Sequence, residues 1–372
     1  MNGTNIYRWI TTPLLIAILF SYYSIYDIRL LPLFLGISVL AVIFRNPHFR
    51  ITASVDFYGL MVVYCLIASI FSMELEVLTA MVIFGWLVYW PIFIRKRTVL
   101  LIDVECLLRY VVNLGLILSI GLFLQIFLFR SYGIEIGKID LVQDRDAFGF
   151  IWNDYSFLSL FLVTLVPLTW RGSLQKTTKV LYTGTFITAS AMTSARTGIV
   201  AVIVAYGIVC FVKILRALLT LRIKRAEFYY FGAAILFAPT LIYYVFELFP
   251  RVTSLGDSGR VDGYISALHF IGNNILFGSA FGVQYYKEQI DTIPHNAFLY
   301  LLAAGGVVFL ILFLAWAIVL VGRIYKHVDF GLFLSLAIAG IGFQFIPAFF
   351  SAYFFAFLLS LCIIVVDQKN II

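Results

Sequence analysis

The longest polar interruption in this sequence, residues 251–296, holds residue types suited to group-transfer chemistry. It contains Arg251 and Arg260 and ends in the turn Pro294-His295-Asn296. A guanidinium group binds phosphate oxygens through paired, charge-assisted hydrogen bonds. An imidazole can take the proton from an attacking hydroxyl. The segment therefore predicts a site that binds a phosphate-bearing group and activates a hydroxyl, with His295 as the base.

Arg260 has a second argument in its favour. The apolar residues Val261, Tyr264, Leu268 and Ile271 follow it at helical spacing. This spacing predicts a helix with Arg260 in its first turn, where free N–H groups and the helix dipole favour phosphate.

Arg145 and Arg196 occur in two other polar interruptions, and the pattern predicts that they join the same anion site. Each arginine has a simpler alternative, which is solvation or snorkelling at a membrane surface. For His295 the alternative is a capping or interfacial histidine. Several arginines on one face favour the anion site over separate solvation.

The elements that hold these residues are membrane helices. The chain of 372 residues is 63% hydrophobic and 12% charged, with a mean hydropathy of +1.02, whereas a soluble domain carries about 25% charge. A span needs about 20 apolar residues. Twelve candidate spans lie near 10–27, 30–44, 54–72, 76–94, 108–129, 150–170, 178–194, 197–214, 228–249, 296–322, 330–347 and 349–366. We expect an all-α polytopic protein of one integral membrane domain, 1–372.

The Lys and Arg residues predict the orientation of these spans. Most of the 26 basic residues fall in loops that share one side if twelve spans are correct, and the positive-inside rule makes that side cytoplasmic. The loops 130–149 and 250–295 then face the periplasm. The same rule explains the net charge of +7, so no nucleic-acid partner is expected.

Transport, metal and cofactor chemistry are disfavoured by the sequence. The centres of the spans hold almost no ionisable residues, which is unlike a proton pathway, and no discontinuous helix is predicted. Asp144-Arg145-Asp146 has the Asp-x-Asp form of a metal-binding pair. It is predicted to lie on the outer side of the membrane, where nucleotide-sugar donors are absent. No motif of a nucleotide-binding loop or metalloprotease appears. We therefore expect neither a metal nor a cofactor.

Short segments between about 145 and 310 occur in a recognisable order. They are Arg145, Gly149 and Asn153; Ser194-Ala195-Arg196-Thr197-Gly198; Ser258-Gly259-Arg260 with Tyr264, Ala267 and Leu268; Asn274 to Gly282; and His295-Asn296-Ala297-Phe298-Leu299. In order and spacing they resemble motifs of the O-antigen ligase/polymerase superfamily, among them Ser-x-Arg-x-Gly, Asn-Pro-Leu-x-Gly-x-Gly-x-Gly and His-Asn-x-aromatic-Leu. The chain departs from these motifs at Ile275, in place of the proline, and at Ser279-Ala280, where the glycine pattern is looser.

The resemblance implies a GT-C-like membrane glycosyltransferase of the bacterial inner membrane, with a site facing the periplasm. The partners implied are undecaprenyl-pyrophosphate-linked glycans as donor and acceptor, together with the lipid bilayer. The resemblance also allows a chain-length regulator protein as a partner. It assigns Arg196, Arg260, Arg251, Arg145 and Asn296 to pyrophosphate and substrate, and His295 to the acceptor hydroxyl.

Three functions remain open at this point. A polymerase transfers the growing chain onto the next lipid-linked repeat unit, and a ligase transfers it onto lipid A–core. Ligases of this family carry a larger periplasmic segment before the His-Asn motif than residues 250–295 provide, so we expect a polymerase. A polysaccharide transporter or flippase is the alternative outside enzymes, and it predicts mid-membrane polar groups that the sequence does not show.

Overall fold

The protein is mainly helical and embedded in a membrane. The structure, a computed structural model, describes residues 8–25, 28–44, 48–94, 96–141, 146–171, 174–219, 260–290 and 293–370. Within them, four helices are long and apolar enough to cross a membrane: Ala53–Ser72, Glu76–Phe93, Val104–Tyr132 and Ala297–Ile324. They correspond to the predicted spans near 54–72, 76–94, 108–129 and 296–322. Shorter apolar helices accompany them.

The elements alternate between helices and short connections. The α-helices are α1 (Arg8–Leu19), α2 (Leu30–Ile43), α3 (Ala53–Ser72), α4 (Glu76–Tyr89), α5 (Lys96–Val99), α6 (Val104–Tyr132), α7 (Tyr155–Arg171), α8 (Lys176–Met192), α9 (Thr197–Leu219), α10 (Arg260–Asn273), α11 (Val283–Gln289), α12 (Ala297–Ile324), α13 (Phe330–Gly342) and α14 (Tyr353–Lys369). Two 3₁₀ turns cover Trp90–Phe93 and Phe349–Ser351. Two antiparallel hairpins pair β1 (Ser24–Ile25) with β2 (Ile28–Arg29) and β3 (Lys138–Leu141) with β4 (Asp146–Phe150).

The hairpins correct two of the predicted spans. The span near 10–27 is shorter than expected, because α1 ends at Leu19 and the chain then forms β1 and β2. The span near 150–170 begins later, because β4 occupies the residues up to Phe150. The mainly helical structure fits the predicted all-α membrane protein, with short hairpins in two connections. Within the described residues, four of the twelve predicted spans correspond to helices long and apolar enough to cross a membrane. The predicted span near 228–249 lies outside the described residues.

The centre of the bundle is formed by α7 and α14. Every residue from Phe157 to Thr169 is buried, and so is every residue from Tyr353 to Ile364. α7 packs against α6, α8, α9 and α13. Apolar lipid gives helices no hydrophobic reason to associate, so close packing and hydrogen bonds between helices hold such a bundle together. Ser335 of α13 supplies one such bond, donating to the carbonyl oxygen of Thr164 at 2.6 Å.

One end of the bundle is tied together by ion pairs. The buried carboxylate of Asp367 binds Arg50 at 2.9 Å and Arg323 at 2.8 Å. Arg171, at the end of α7, binds Glu105 at 2.9 Å and Asp329 at 2.8 Å. We call this the basic end. It gathers the segments before α3, α6 and α13 and the last turns of α7, α12 and α14.

The other end gathers the remaining connections. Trp152 donates its indole N–H to the carbonyl oxygen of Leu19 at 2.9 Å, and Tyr22 donates its hydroxyl to the carbonyl oxygen of Ser351. Glu74 accepts hydrogen bonds from the backbone N–H groups that open α11. We call this the motif end, and it comprises 20–25 with 28–29, 73–75, 133–141 with 146–154, 193–196, 274–290 with 293–296, and 343–352.

Candidate functional site

Arg196 lies in the turn between α8 and α9. Ser194 has a left-handed backbone with φ of 65°, and its hydroxyl donates to the carbonyl oxygen of Asp146 at 2.7 Å. Gly198 is needed for close approach to α7, because a Cβ there would lie 2.4 Å from the carbonyl oxygen of Ser159. The first and last residues of Ser-x-Arg-x-Gly thus shape the turn, and the exposed Arg196 stands between them.

The turn that holds Arg196 and the end of α13 lie at the same height along α7. A Cβ at Gly342 would lie 2.4 Å from Leu160, the residue directly after the one that Gly198 contacts. Arg196 lies two residues before Gly198 and Gln344 lies two residues after Gly342. Since α9 and α13 both pack on α7, Arg196 and Gln344 flank the same region of the motif end.

His295 is exposed at the start of α12, and its backbone is held on two sides. Asn296 is the N-cap of α12, and its side-chain oxygen accepts from the N–H groups of Phe298 and Leu299, both at 3.0 Å. Tyr264 of α10 donates its hydroxyl to the carbonyl oxygen of His295 at 3.2 Å. The residue that caps α12 is therefore Asn296 and not His295.

Asn296 also joins this turn to the end of α13. Its side-chain N–H group donates to Oε1 of Gln344 at 3.0 Å. The backbone N–H of Ala297 donates to the carbonyl oxygen of Phe343 at 2.9 Å. Through these bonds the turn at His295 is tied to the region that Arg196 flanks, so the structure brings His295, Asn296 and Arg196 to one end of the bundle.

Arg260 is the first residue of α10, as the helical spacing predicted. Tyr264, whose hydroxyl reaches the backbone of His295, lies one turn further along that helix. Residues four apart share one face of an α-helix. The backbone of Arg260 therefore lies one helical turn before Tyr264.

The glycine-rich segment from Asn274 to Gly282 packs into a break in α12. At Gly306 the helix backbone turns left-handed, with φ of 70°, and the ordinary helical hydrogen bonds stop. The segment replaces them: Ser279 donates to Ala303 and Phe281 to Ala304, both at 2.9 Å, and Val307 donates to the carbonyl oxygen of Ile275 at 2.8 Å. The expectation that no helix is discontinuous was therefore wrong. The break could not be predicted because the groups that replace the lost hydrogen bonds are distant in sequence.

The backbone of this segment accounts for two of the glycine positions in the motif that it resembles. Gly278 has φ of 58°, and a Cβ there would lie 2.3 Å from the carbonyl oxygen of Ala303. Ala280 and Phe281 are also left-handed, with φ of 50° and 60°. Only glycine adopts this conformation without a steric cost. Ala280, which replaces a motif glycine, thus keeps the glycine backbone geometry.

Three carboxylates at the motif end, those of Glu74, Asp140 and Asp154, accept hydrogen bonds within the protein. Glu74 accepts two backbone N–H bonds, and Asp154 accepts the N–H of Phe157 at 2.9 Å. Asp140 binds the hydroxyl of Tyr155 and, at 2.9 Å, Lys138. The Tyr155 hydroxyl, followed by Lys138, lowers the pKa of the Asp140 carboxyl below its ordinary value. Asp140 is therefore a poor candidate for a base that must gain a proton near neutral pH. Burial has the opposite effect on Asp154, because it raises the pKa of that carboxyl above its ordinary value.

Several predicted residues fall outside what the structure describes. Arg145 and Arg251 lie outside the described residues, and of Arg260 only the backbone is described. Within the described ranges, no group of three His, Cys, Asp or Glu side chains could hold a metal ion.

The structure also adds residues that the sequence reasoning missed. Tyr264 appeared only as a motif residue, and its bond to the His295 turn was not foreseen. Gln344 carried no signal, since it lies inside the predicted span near 330–347 and belongs to no motif.

Comparison of the chain with models of known protein families gives no match, and comparison with characterised proteins gives no significant match.

Proposed function

We propose that this chain is a membrane glycosyltransferase that polymerises undecaprenyl-pyrophosphate-linked oligosaccharide repeat units at the periplasmic face of the bacterial inner membrane. One observation carries the proposal. The Ser-x-Arg-x-Gly turn, the glycine-rich segment and the His-Asn turn, far apart in sequence, all fold to one end of an apolar helical bundle. An enzyme whose donor and acceptor are both anchored in the membrane needs its site at such an end.

The reaction transfers the growing glycan to a new hydroxyl. The acceptor sugar hydroxyl attacks the anomeric carbon of the donor, and the bond from that carbon to the pyrophosphate oxygen breaks. His295 takes the hydroxyl proton, because it is the exposed imidazole at the start of α12 and its backbone is fixed. The products are the glycan extended by one unit and free undecaprenyl pyrophosphate.

The arginines serve the leaving group. Negative charge develops on the pyrophosphate as its bond to carbon breaks, and fixed positive charge at that place stabilises the transition state. Arg196, presented by the turn before α9, and Arg260, at the start of α10, have this role. Arg251 and Arg145 are further candidates for the same anion. Asn296 serves the site by holding the turn on which His295 lies.

The test is polymerisation by purified protein. Wild-type protein in lipid nanodiscs receives lipid-linked repeat units extracted from its own host, and the products are separated on a polysaccharide gel. We expect a ladder of chain lengths from the wild type. His295→Gln keeps a hydrogen-bonding side chain but cannot act as the base, so transfer falls roughly 10²–10⁴-fold while the pyrophosphate lipid still binds.

His269→Gln is the matched control, since His269 is an exposed histidine on α10 and has no assigned role. It is expected to give the wild-type ladder. Transfer onto lipid A–core in place of repeat units identifies a ligase, and movement of repeat units across the membrane without new glycosidic bonds identifies a transporter. A His295→Gln protein that makes chains at the normal rate removes the base assignment.

A further inference from the structure

The cap of α12 determines how the side-chain amide of Asn296 is oriented. Its Oδ1 accepts two backbone N–H bonds, from Phe298 and Leu299. An amide oxygen can accept such bonds and an amide nitrogen cannot. The nitrogen of Asn296 therefore points away from the helix, towards Gln344.

The orientation of the Asn296 amide in turn determines that of the Gln344 amide. The nitrogen of Asn296 is a donor, so its partner 3.0 Å away must be the oxygen of Gln344. The nitrogen of Gln344, with its two N–H donors, is then turned away from the cap. Gln344 is exposed, and among the residues that the structure describes its nitrogen has no hydrogen-bond partner. A fixed pair of donors is thus left at the surface beside the His295 turn.

Fixed donors of this kind suit a sugar. Sugar hydroxyl and acetamido oxygens accept hydrogen bonds, and a side chain that is held in place loses little conformational freedom on binding. Gln344 is hydrogen-bonded to Asn296, the residue that follows His295. A sugar whose hydroxyl meets the imidazole therefore has its neighbouring oxygens near this amide.

We propose that Gln344 donates a hydrogen bond to an oxygen of the acceptor sugar and so helps to bind the acceptor beside His295. This proposal rests on the function proposed above and adds to it a residue that recognises the acceptor. The bond forms when the acceptor binds and is kept in the transition state. Its loss therefore raises the KM for the acceptor and changes kcat little.

Two variants of Gln344 test this role. Gln344→Glu keeps an oxygen to accept from Asn296 and removes the outward N–H donors, and Gln344→Met removes them without adding charge. The acceptor is the host's repeat unit moved to a short fluorescent lipid, and initial rates give its KM and kcat. We expect both variants to raise the acceptor KM roughly 3- to 10-fold, as expected for one hydrogen bond, with kcat within about twofold of wild type.

Gln284→Glu is the matched control, because Gln284 is another exposed glutamine at the motif end. We expect it to keep the wild-type KM, and we expect all three variants to keep the wild-type thermal stability. An unchanged KM in both Gln344 variants overturns the proposal, and so does a fall in kcat without a change in KM or a loss of thermal stability in both. These results require an active wild-type protein. If the wild type itself makes no polymer, it is the proposed function that fails.

Discussion

At the scale of single residues, the geometry of the donors matters as much as their charge. Arg196 is exposed in a turn shaped by the left-handed Ser194 and the closely packed Gly198. Arginine offers a planar fork that matches two phosphate oxygens, whereas lysine offers a point charge. We therefore expect Arg196→Lys to lower polymer formation at least about tenfold, the loss of roughly one charge-assisted hydrogen bond. The measurement is the initial rate in nanodiscs at equal protein.

Arg130→Lys provides the comparison for that variant. Arg130 is exposed in the last turn of α6, where any positive charge interacts favourably with the helix dipole. The Arg130→Lys variant should retain the wild-type rate of polymer formation. Equal activity of Arg196→Lys and wild type would show that Arg196 is solvated at the membrane surface and has no part in binding pyrophosphate.

The residues of the site were predictable only where they belong to a motif. His295, Asn296, Arg196 and Arg260 were found from their types and spacing. Gln344 was not, because its importance comes from a hydrogen bond to Asn296 across 48 positions of sequence. No property of an isolated glutamine in an apolar stretch predicts that contact.

At the scale of elements, the break in α12 depends on the glycine-rich segment. A broken helix leaves backbone groups without partners, and in a membrane such groups must be satisfied by protein. The segment from Asn274 to Gly282 satisfies the carbonyl oxygens of Ala303 and Ala304, and the hydroxyl of Tyr64 satisfies that of Gly305 at 2.7 Å. The two parts are one structural unit and should lose stability together.

Glycine substitutions test this unit. In Gly278→Ala, the new Cβ meets the backbone at Ala303 and the left-handed residue loses its glycine. Steric strain and overpacking together should cost about 2–4 kcal/mol of unfolding free energy. Ala280→Gly relieves a left-handed alanine and adds chain entropy to the unfolded state, so it should change stability by less than about 1 kcal/mol. Detergent titration of the purified variants measures both.

The expected order of stability is Ala280→Gly close to wild type and Gly278→Ala well below it. Equal stability of the two variants would mean that the segment does not support the break.

Hydropathy and helical spacing predicted most helices of the bundle. They missed the break and the two hairpins, since hydropathy averages over a window and cannot show which distant segment satisfies a carbonyl group.

At the scale of the whole molecule, charge separates the two ends. The basic end holds its arginines in ion pairs: Arg50 and Arg323 share the buried Asp367, and Arg171 binds Glu105 and Asp329. At the motif end, Arg196 and His295 are exposed. The ion pairs of the basic end join segments of the bundle, and we propose that Arg196 binds the pyrophosphate of the donor. The positive-inside rule predicts that the first end is cytoplasmic.

Cysteine labelling tests that orientation. Glu288 lies in α11, ahead of α12, and Lys326 lies just beyond its other end; both are exposed. The two parts of α12 on either side of the break at Gly306 together hold 28 residues, or about 42 Å of helix, more than the hydrocarbon core of a bilayer. In a variant without the native cysteines, we expect a membrane-impermeant maleimide to label Glu288→Cys in intact spheroplasts and to label Lys326→Cys only after lysis. Glu135→Cys, in the segment after α6, should behave like Glu288→Cys. The reverse pattern would place His295 and Arg196 in the cytoplasm, where a periplasmic polymerase site is impossible.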